Sequence, residues 1–285
     1  MRIGVGLPNH IAHAPGSIIG EWARRAEQRG FADLATIDRI VYPCQDPIVS
    51  LSVAAGATQR IGLVTNILLA PAYPAALLAK RLGSLADISG GRLTVGLGAG
   101  GRADDFAASG VDFGRRGQVF DQTVPLLRRE WSGEVAAGKR ALCATPVRIP
   151  MLFGGMSTAT LRRTAQWGDG WAGGAVRDYP GLSDFAERVR AVWREASRDG
   201  TPVLQACVNF AFGDADAIQA GHAHLRSYYG DTPQFADVVV ADMLTAPADA
   251  ADTVRAFGDL GFDRLLFHPS TARLDQLERL ADTVL

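Results

Sequence analysis

The sequence predicts a (β/α)8 barrel, and three observations carry that prediction. Strand-like and helix-like patterns alternate from end to end of the 285 residues, with no Pro/Ser-rich linker or charge block to mark a boundary. Strands followed throughout by helices imply a parallel sheet. About eight such units fill the length, which suits a barrel running from residue 1 to 285 as a single α/β domain. Two glycine clusters, Gly98-Ala99-Gly100-Gly101 and Gly154-Gly155, fall where strands end, and a barrel keeps its ligand loops there.

Each strand prediction rests on a short apolar or β-branched run. In order the strands are Arg2–Leu7, Asp33–Ile37, Ile61–Ile67, Leu93–Gly98, Arg148–Phe153, Gly170–Ala172, Val203–Phe210 and Arg264–His268. Gly170–Ala172 is too short to be recognised except by its place in the alternation. Between strands, apolar residues recur at helical spacing. Leu78, Leu82, Leu85 and Ile88 form one buried stripe, which Gly90-Gly91 ends as C-cap glycines do. Phe120, Val124, Leu127 and Trp131 form a second, and Leu182, Phe185, Val189 and Val192 a third. Thr245 and Pro247 open a helix that Gly261 closes before the last strand. Arg102-Ala-Asp-Asp-Phe106, followed by Gly110, Gly114 and Gly117, reads as a long loop.

A hydrophobic content of 47% supplies a sizeable core, and a net charge of −1 lacks the basic footprint of a nucleic-acid binder. Cys44, Cys143 and Cys207 are odd in number and widely spaced, which suits a reducing cytoplasm better than a disulfide framework. Ile3-Gly-Val-Gly-Leu7 follows the start directly, so no signal peptide is expected, and the apolar runs are too short to span a bilayer. The expected setting is the cytoplasm, with a small-molecule substrate and neither membrane nor nucleic acid as partner. A homodimer is left open.

Gly96-Leu-Gly98-Ala-Gly-Gly101 matches the dinucleotide pattern GxGxxG, with Asp121 twenty residues on. That pattern has mechanical content only when its third glycine opens a helix packed on the preceding strand. The loop reading of Arg102–Phe106 removes this context, and a glycine-lined barrel loop beside a flat cofactor is the better reading. Phe153-Gly154-Gly155-Met156-Ser157-Thr158 is sharper. Two glycines expose backbone N–H groups, Ser157 or Thr158 caps a helix, and free amides at a helix start bind phosphate. An ordinary Ser/Thr cap after a flexible turn remains the competing reading. Asp38-Arg39 ends the second strand, where a barrel places site residues, although an ion pair would also suit it. His10 follows the first strand and is an acid–base candidate or a solvated loop histidine. His222 and His224 point apart on a helix, with no ligand cluster to complete a metal site. His268 ends the last strand and could face the same mouth. Trp167 and Trp171 fill the core or wall the pocket.

Taken in order, these segments resemble the bacterial luciferase-like superfamily of flavin- and deazaflavin-dependent oxidoreductases. The resemblance covers nearly the whole chain. It is carried by Trp22-Ala-Arg-Arg-Ala-Glu-Gln-Arg-Gly-Phe31, Tyr73-Pro-Ala-Ala-Leu-Leu-Ala-Lys-Arg-Leu82 and Ser89-Gly-Gly-Arg-Leu-Thr-Val-Gly-Leu-Gly-Ala-Gly100. Asp112-Phe-Gly-Arg-Arg-Gly-Gln-Val-Phe-Asp121 and Gly168-Asp-Gly-Trp171 complete the series.

The resemblance implies the barrel fold already read and a ring cofactor across its mouth. Asp38 and Arg39 stand where the family commonly has acid–histidine. Thr65, Asn66 and Ile67 match a bulge that backs the ring, often with a cis peptide, here expected at Asn66–Ile67. Ala99, Gly100 and Gly101 match the loop beside the ring, and Gly154, Gly155, Met156, Ser157 and Thr158 the phosphate nest. Two departures matter: Arg39 replaces a histidine, and Gly101 replaces a glutamate that several deazaflavin enzymes use for proton handling. Gly-Leu-Gly-Ala-Gly-Gly and Gly-Gly-Met-Ser resemble the branch that uses coenzyme F420, implying hydride transfer to or from a small organic substrate. FMN with dioxygen, in a monooxygenase, is the alternative, and a flavin-binding barrel without catalysis is a third. Within the first reading, His10 is the acid–base candidate and Arg39 stabilises negative charge, because a guanidinium stays protonated.

Overall fold

A computed structural model describes residues 1–134 and 140–285. Eight parallel strands close into a barrel in sequence order: β1 Arg2–Gly6, β2 Asp33–Thr36, β3 Gly62–Leu69, β4 Leu93–Gly98, β5 Met151–Gly154, β6 Gly170–Ala172, β7 Val203–Phe210 and β8 Arg264–Pro269. Closure comes from β1 pairing with β8, Val5 opposite Phe267. The helices are α1 Ile18–Arg29, α2 Pro47–Ala57, α3 Ala75–Ile88, α4 Ala103–Ala108, α5 Arg116–Ser132, α6 Thr158–Trp167, α7 Tyr179–Glu195, α8 Ala215–Tyr228, α9 Pro233–Asp242, α10 Pro247–Asp259 and α11 Asp275–Val284. Every strand read from the sequence is present, with ends that differ by a few residues. Among the described residues no helix is long and apolar enough to cross a membrane.

Helices cover the barrel's outer face and side chains fill its interior, so the strands are buried on both faces. Phe120, Val124, Leu127 and Trp131 of α5 are buried, as are Leu182, Phe185 and Val189 of α7. Ile88 departs from the expected stripe and is 72% exposed. At about 100° per residue it lies roughly 90° from the line of Leu78, Leu82 and Leu85, and Ser89 falls on that line instead. Ser89 is accordingly buried. Gly90 and Gly91 follow with φ of 67° and 79°, the left-handed conformation that ends a helix.

Two further expectations are corrected. Arg102–Phe106 belongs in part to α4, a short helix whose first turn carries Asp104 and Asp105 at its positive end. The glycines around it set its limits and do not prevent it. At α10, Pro247 occupies the first turn, while Thr245 lies outside and makes no cap. In β3 the ladder to β4 shifts register between Thr65 and Leu68, and the Asn66–Ile67 peptide is cis, as the resemblance implied.

Candidate active site

The strand ends and their loops surround a cavity of about 410 Å³ at the C-terminal mouth of the barrel. Of the residues singled out from sequence, Asp38, Asn66, Ile67, Gly98, Ala99, Gly100, Gly101, Gly154, Gly155, Met156 and Ser157 line it. Thr65, Thr158, His10 and Arg39 do not.

The floor is set by a buried polar chain. Arg264 pairs with Asp33 at 3.0 Å, and its Nη1 donates to Gln205 Oε1 at 2.9 Å. A guanidinium can only donate, so Gln205 is oriented with its amide nitrogen toward Asn66, donating to Oδ1 at 2.8 Å. Asn66 Nδ2 then faces His268 Nε2 at 3.0 Å. That nitrogen must accept, so the neutral His268 carries its proton on Nδ1. Burial holds the imidazole down at about 3, which fits a neutral acceptor. Thr65 supports this floor from below, donating to Gly96 O at 2.9 Å.

Ile67 explains glycines that looked like ligand contacts. A Cβ on Gly98 would come within 2.2 Å of Ile67 Cδ1, and one on Gly154 within 2.3 Å. These two positions are kept bare by the floor residue. The backbone is open toward the cavity at Gly101 and Gly174, where a Cβ would meet nothing within 4 Å.

The nest after β5 has the expected geometry with one substitution of roles. Gly155 has φ 94°, a conformation that side chains resist, and its carbonyl accepts from Trp171 Nε1 at 2.9 Å. Ser157 caps α6, its Oγ accepting from Thr160 N–H at 3.2 Å. The first amides of a helix lack intrahelical partners, so those of Thr158 and Ala159 remain available. Thr158's side chain is exposed, and Thr160 lines the cavity in its place. Arg163, one turn further along α6, also lines it, held by Asp121 at 2.7 Å and by Gly117 O at 3.2 Å. Asp121, twenty residues past the glycine motif, is therefore an arginine partner and no ribose contact. The closed barrel removes the dinucleotide-fold reading.

Asp38 is a buried carboxyl that lines the cavity just past the end of β2. Its Oδ2 accepts from Leu69 N–H at 2.9 Å, and Tyr73 donates to its two oxygens at 2.9 and 3.0 Å. Burial outweighs these bonds and pushes the carboxyl up to about 7. Arg39 turns away into an ion-pair cluster with Asp104 at 2.6 Å, Asp105 at 3.2 Å and Asp231 at 3.1 Å. It also donates to Tyr228 O at 3.1 Å, so its effect on the cavity is to hold the end of α8 in place. Arg102 lies over the rings of Tyr228 and Tyr229, and both tyrosines wall the cavity.

His10 is not solvated: it is 2% exposed and packed against His224, His268 and Tyr228. Burial, with His224 and His268 beside it, holds its imidazole well below the usual histidine range. Both ring nitrogens lack a hydrogen-bond partner among the described residues. No group of three or more His, Cys, Asp or Glu among those residues could hold a metal ion.

Sequence reasoning missed Tyr228, Tyr229, Arg163, Tyr73 and Cys207. Adjacent tyrosines before Gly230 at a helix end, and an arginine nearly two turns after a Gly-Gly-x-Ser cap, were the signals available. Cys207 is buried with its thiol pushed up to about 11, so it presents a neutral wall.

A closed parallel barrel with a glycine-lined mouth, open amides at a helix start and a buried carboxyl is the architecture of a barrel enzyme with its site at the C-terminal ends of the strands. The chain belongs to the luciferase-like monooxygenase family, whose sequence profile matches residues 1–256. It is similar to the F420-dependent hydroxymycolic acid dehydrogenase of Mycobacterium tuberculosis, 30% identical over 228 residues, 71% of this chain and 61% of that protein. In three dimensions it resembles an F420-dependent secondary alcohol dehydrogenase solved with an F420–acetone adduct. That likeness has a TM-score of 0.79 at 16% identity and covers 100% of this chain and 98% of the other. The monooxygenase RslO1 from Streptomyces bottropensis gives a TM-score of 0.76 at 18% identity, covering 99% and 97%. Relatives of both reaction types thus share this barrel.

Proposed function

We propose that the chain is an F420-dependent oxidoreductase that moves a hydride between the deazaflavin and a small organic substrate. Asp38 carries this reading. Hydride transfer to a carbonyl carbon leaves an oxygen that needs a proton, and a group titrating near the working pH is the best donor or acceptor. Asp38 lines the cavity and titrates at about 7. His10 lies outside the lining, so the acid–base role assigned to it from sequence passes to Asp38.

The residues present fit the cofactor. The cavity volume falls within the usual range for small-molecule sites, about 300–1,000 Å³. Asn66 and Ile67 would back the ring, and Ala99, Gly100 and Gly101 would flank it. Gly154 through Ser157, the amides of Thr158 and Ala159, and Arg163 would hold the phosphate. When bound, the deazaflavin supplies or accepts the hydride at its C5, and the protein positions substrate and proton. Tyr228 and Tyr229 shield the opposite side from water. The similarity to the F420-dependent dehydrogenase supports this choice, and the likeness to RslO1 keeps an FMN-dependent monooxygenase as the second reading. A cavity-facing carboxyl near neutrality argues against a binding barrel without catalysis.

Titration of the cofactor-free chain with F420 and with FMN, followed by fluorescence, tests the proposal. F420 should bind more tightly. Comparable or tighter FMN binding, with oxygen-dependent product formation, would reverse it.

A further inference from the structure

We infer that Tyr73 is the proton inlet of this site, passing protons from solvent to the inner face of Asp38. The inference rests on the reading of Asp38 as the proton-handling group. Asp38 stands between two cavities. One face belongs to the mouth of the barrel, and the other lines an outer cavity of about 380 Å³ between the β2 and β3 loops. Tyr73 lines that outer cavity and a third one, of about 360 Å³, beside α5. Its hydroxyl donates to both carboxyl oxygens of Asp38, at 2.9 and 3.0 Å. Among the described residues no group donates to its oxygen, which leaves a lone pair for water.

The other polar neighbours of the outer cavity are committed elsewhere. Leu69 N–H, the remaining donor to Asp38, is a backbone amide and cannot relay a proton. Asp46 caps α2 by accepting from Val49 N–H at 2.8 Å. Tyr42 donates to Ser227 Oγ at 3.0 Å, and Ser109 to Asp105 O at 2.7 Å. Arg39 is tied to three carboxylates and stays protonated. Cys44 keeps its proton, because burial pushes its thiol up to about 11. The charges that bear on Asp38 are Asp46, the N-cap of α2, and Asp105 from α4. The phenol of Tyr228 meets its backbone oxygen from α8 at 3.3 Å.

The relay balances without redox change. Asp38 loses its O–H proton to the substrate oxygen and becomes a carboxylate. The Tyr73 O–H proton moves to an Asp38 oxygen as the Tyr73 oxygen takes a proton from a water in the outer cavity. That water is restored by hydronium or by a buffer acid from solvent, and oxidation of substrate runs the same path in reverse.

Tyr73→Phe tests the relay, with Tyr42→Phe as the control in the same outer cavity. In the cofactor-free chain, carbon-13 relaxation dispersion at the Asp38 carboxyl reads its proton-exchange rate at the midpoint of titration. Exchange should slow at least tenfold in Tyr73→Phe, recover with added imidazole buffer, and stay unchanged in Tyr42→Phe. A purely structural tyrosine would shift the midpoint and leave the rate alone, which overturns the inference, as does equal slowing in both variants. With F420 and substrate, Tyr73→Phe should lower kcat at least tenfold, leave KM unchanged and respond to imidazole. Wild-type chain that fails to turn over with F420 defeats the functional reading, while the exchange rates still decide the inlet.

Discussion

Replacing Asp38 with Asn should make the protein more stable in mild alkali while abolishing turnover. The ordinary carboxyl value is 3.8, and burial holds this one at about 7. Between those values the folded chain keeps a proton that the unfolded chain has lost. The stability from this group is therefore complete below about pH 4 and is lost as pH rises through about 7. At about 1.4 kcal/mol per pH unit, the full loss is on the order of 4 kcal/mol. Asparagine cannot ionise, and its Oδ1 can still accept from Leu69 and Tyr73, whereas its NH2 group must find an acceptor in a buried place. That misfit costs about 1 kcal/mol at about pH 4. By about pH 8.5 the variant should exceed wild type by roughly 3 kcal/mol. Urea unfolding of both chains across this range gives the difference directly, and the buried histidines, present in both, cancel. Parallel curves would refute the reasoning, because they would mean that Asp38 titrates alike folded and unfolded.

Other consequences follow from the same geometry. Gly155→Val forces a β-branched side chain onto a φ of 94° and should weaken F420 binding at least tenfold, about 1.4 kcal/mol, with the fold intact by circular dichroism. Unchanged affinity would place the phosphate elsewhere. Arg163→Met should cost a similar factor by isothermal titration. Arg162→Met, which also removes a partner of Asp121 but from a 59% exposed side chain, should cost none. His224 is held down at about 4 by burial, so it stays neutral when folded while the unfolded chain takes up a proton below about pH 6.5. Stability should thus fall as pH drops from 6.5 to about 4, and His224→Phe should lessen that fall by about 3 kcal/mol in thermal or urea unfolding. An equal fall in both chains would show that His224 is solvated.

The barrel was legible because parallel strands buried on both faces leave continuous apolar runs, and even the three-residue β6 sits where the alternation required it. The turn and helix cap after β5 were legible because Gly-Gly-Met-Ser is local, with both lying within a few residues. What the sequence hid was long-range. Tyr228 comes from the end of α8 and reaches Asp38 only because the barrel closes, a separation of 190 residues. Arg39 looked like a charge for the ligand, yet three aspartates on α4 and the α8–α9 connection claim it, a pairing no local pattern reveals. His10 sits in a loop by sequence, but the 3-10 turn Pro8–His10 folds it beneath Tyr228. Gly98 and Gly154 do line the cavity, but Ile67 is what keeps them bare, and no local pattern shows that. Asp38 was named from its position and the family resemblance, and its proton affinity depends on burial that only the assembled loops provide.

A crystal structure of the chain with F420 bound is the most direct test of the central claim. The account predicts the deazaflavin ring against Asn66 and Ile67, its reactive face open to Asp38. The phosphate should accept hydrogen bonds from the α6 amides and Arg163. A ring lodged away from Asp38, or a phosphate held by residues outside the Gly154–Arg163 segment, would contradict it.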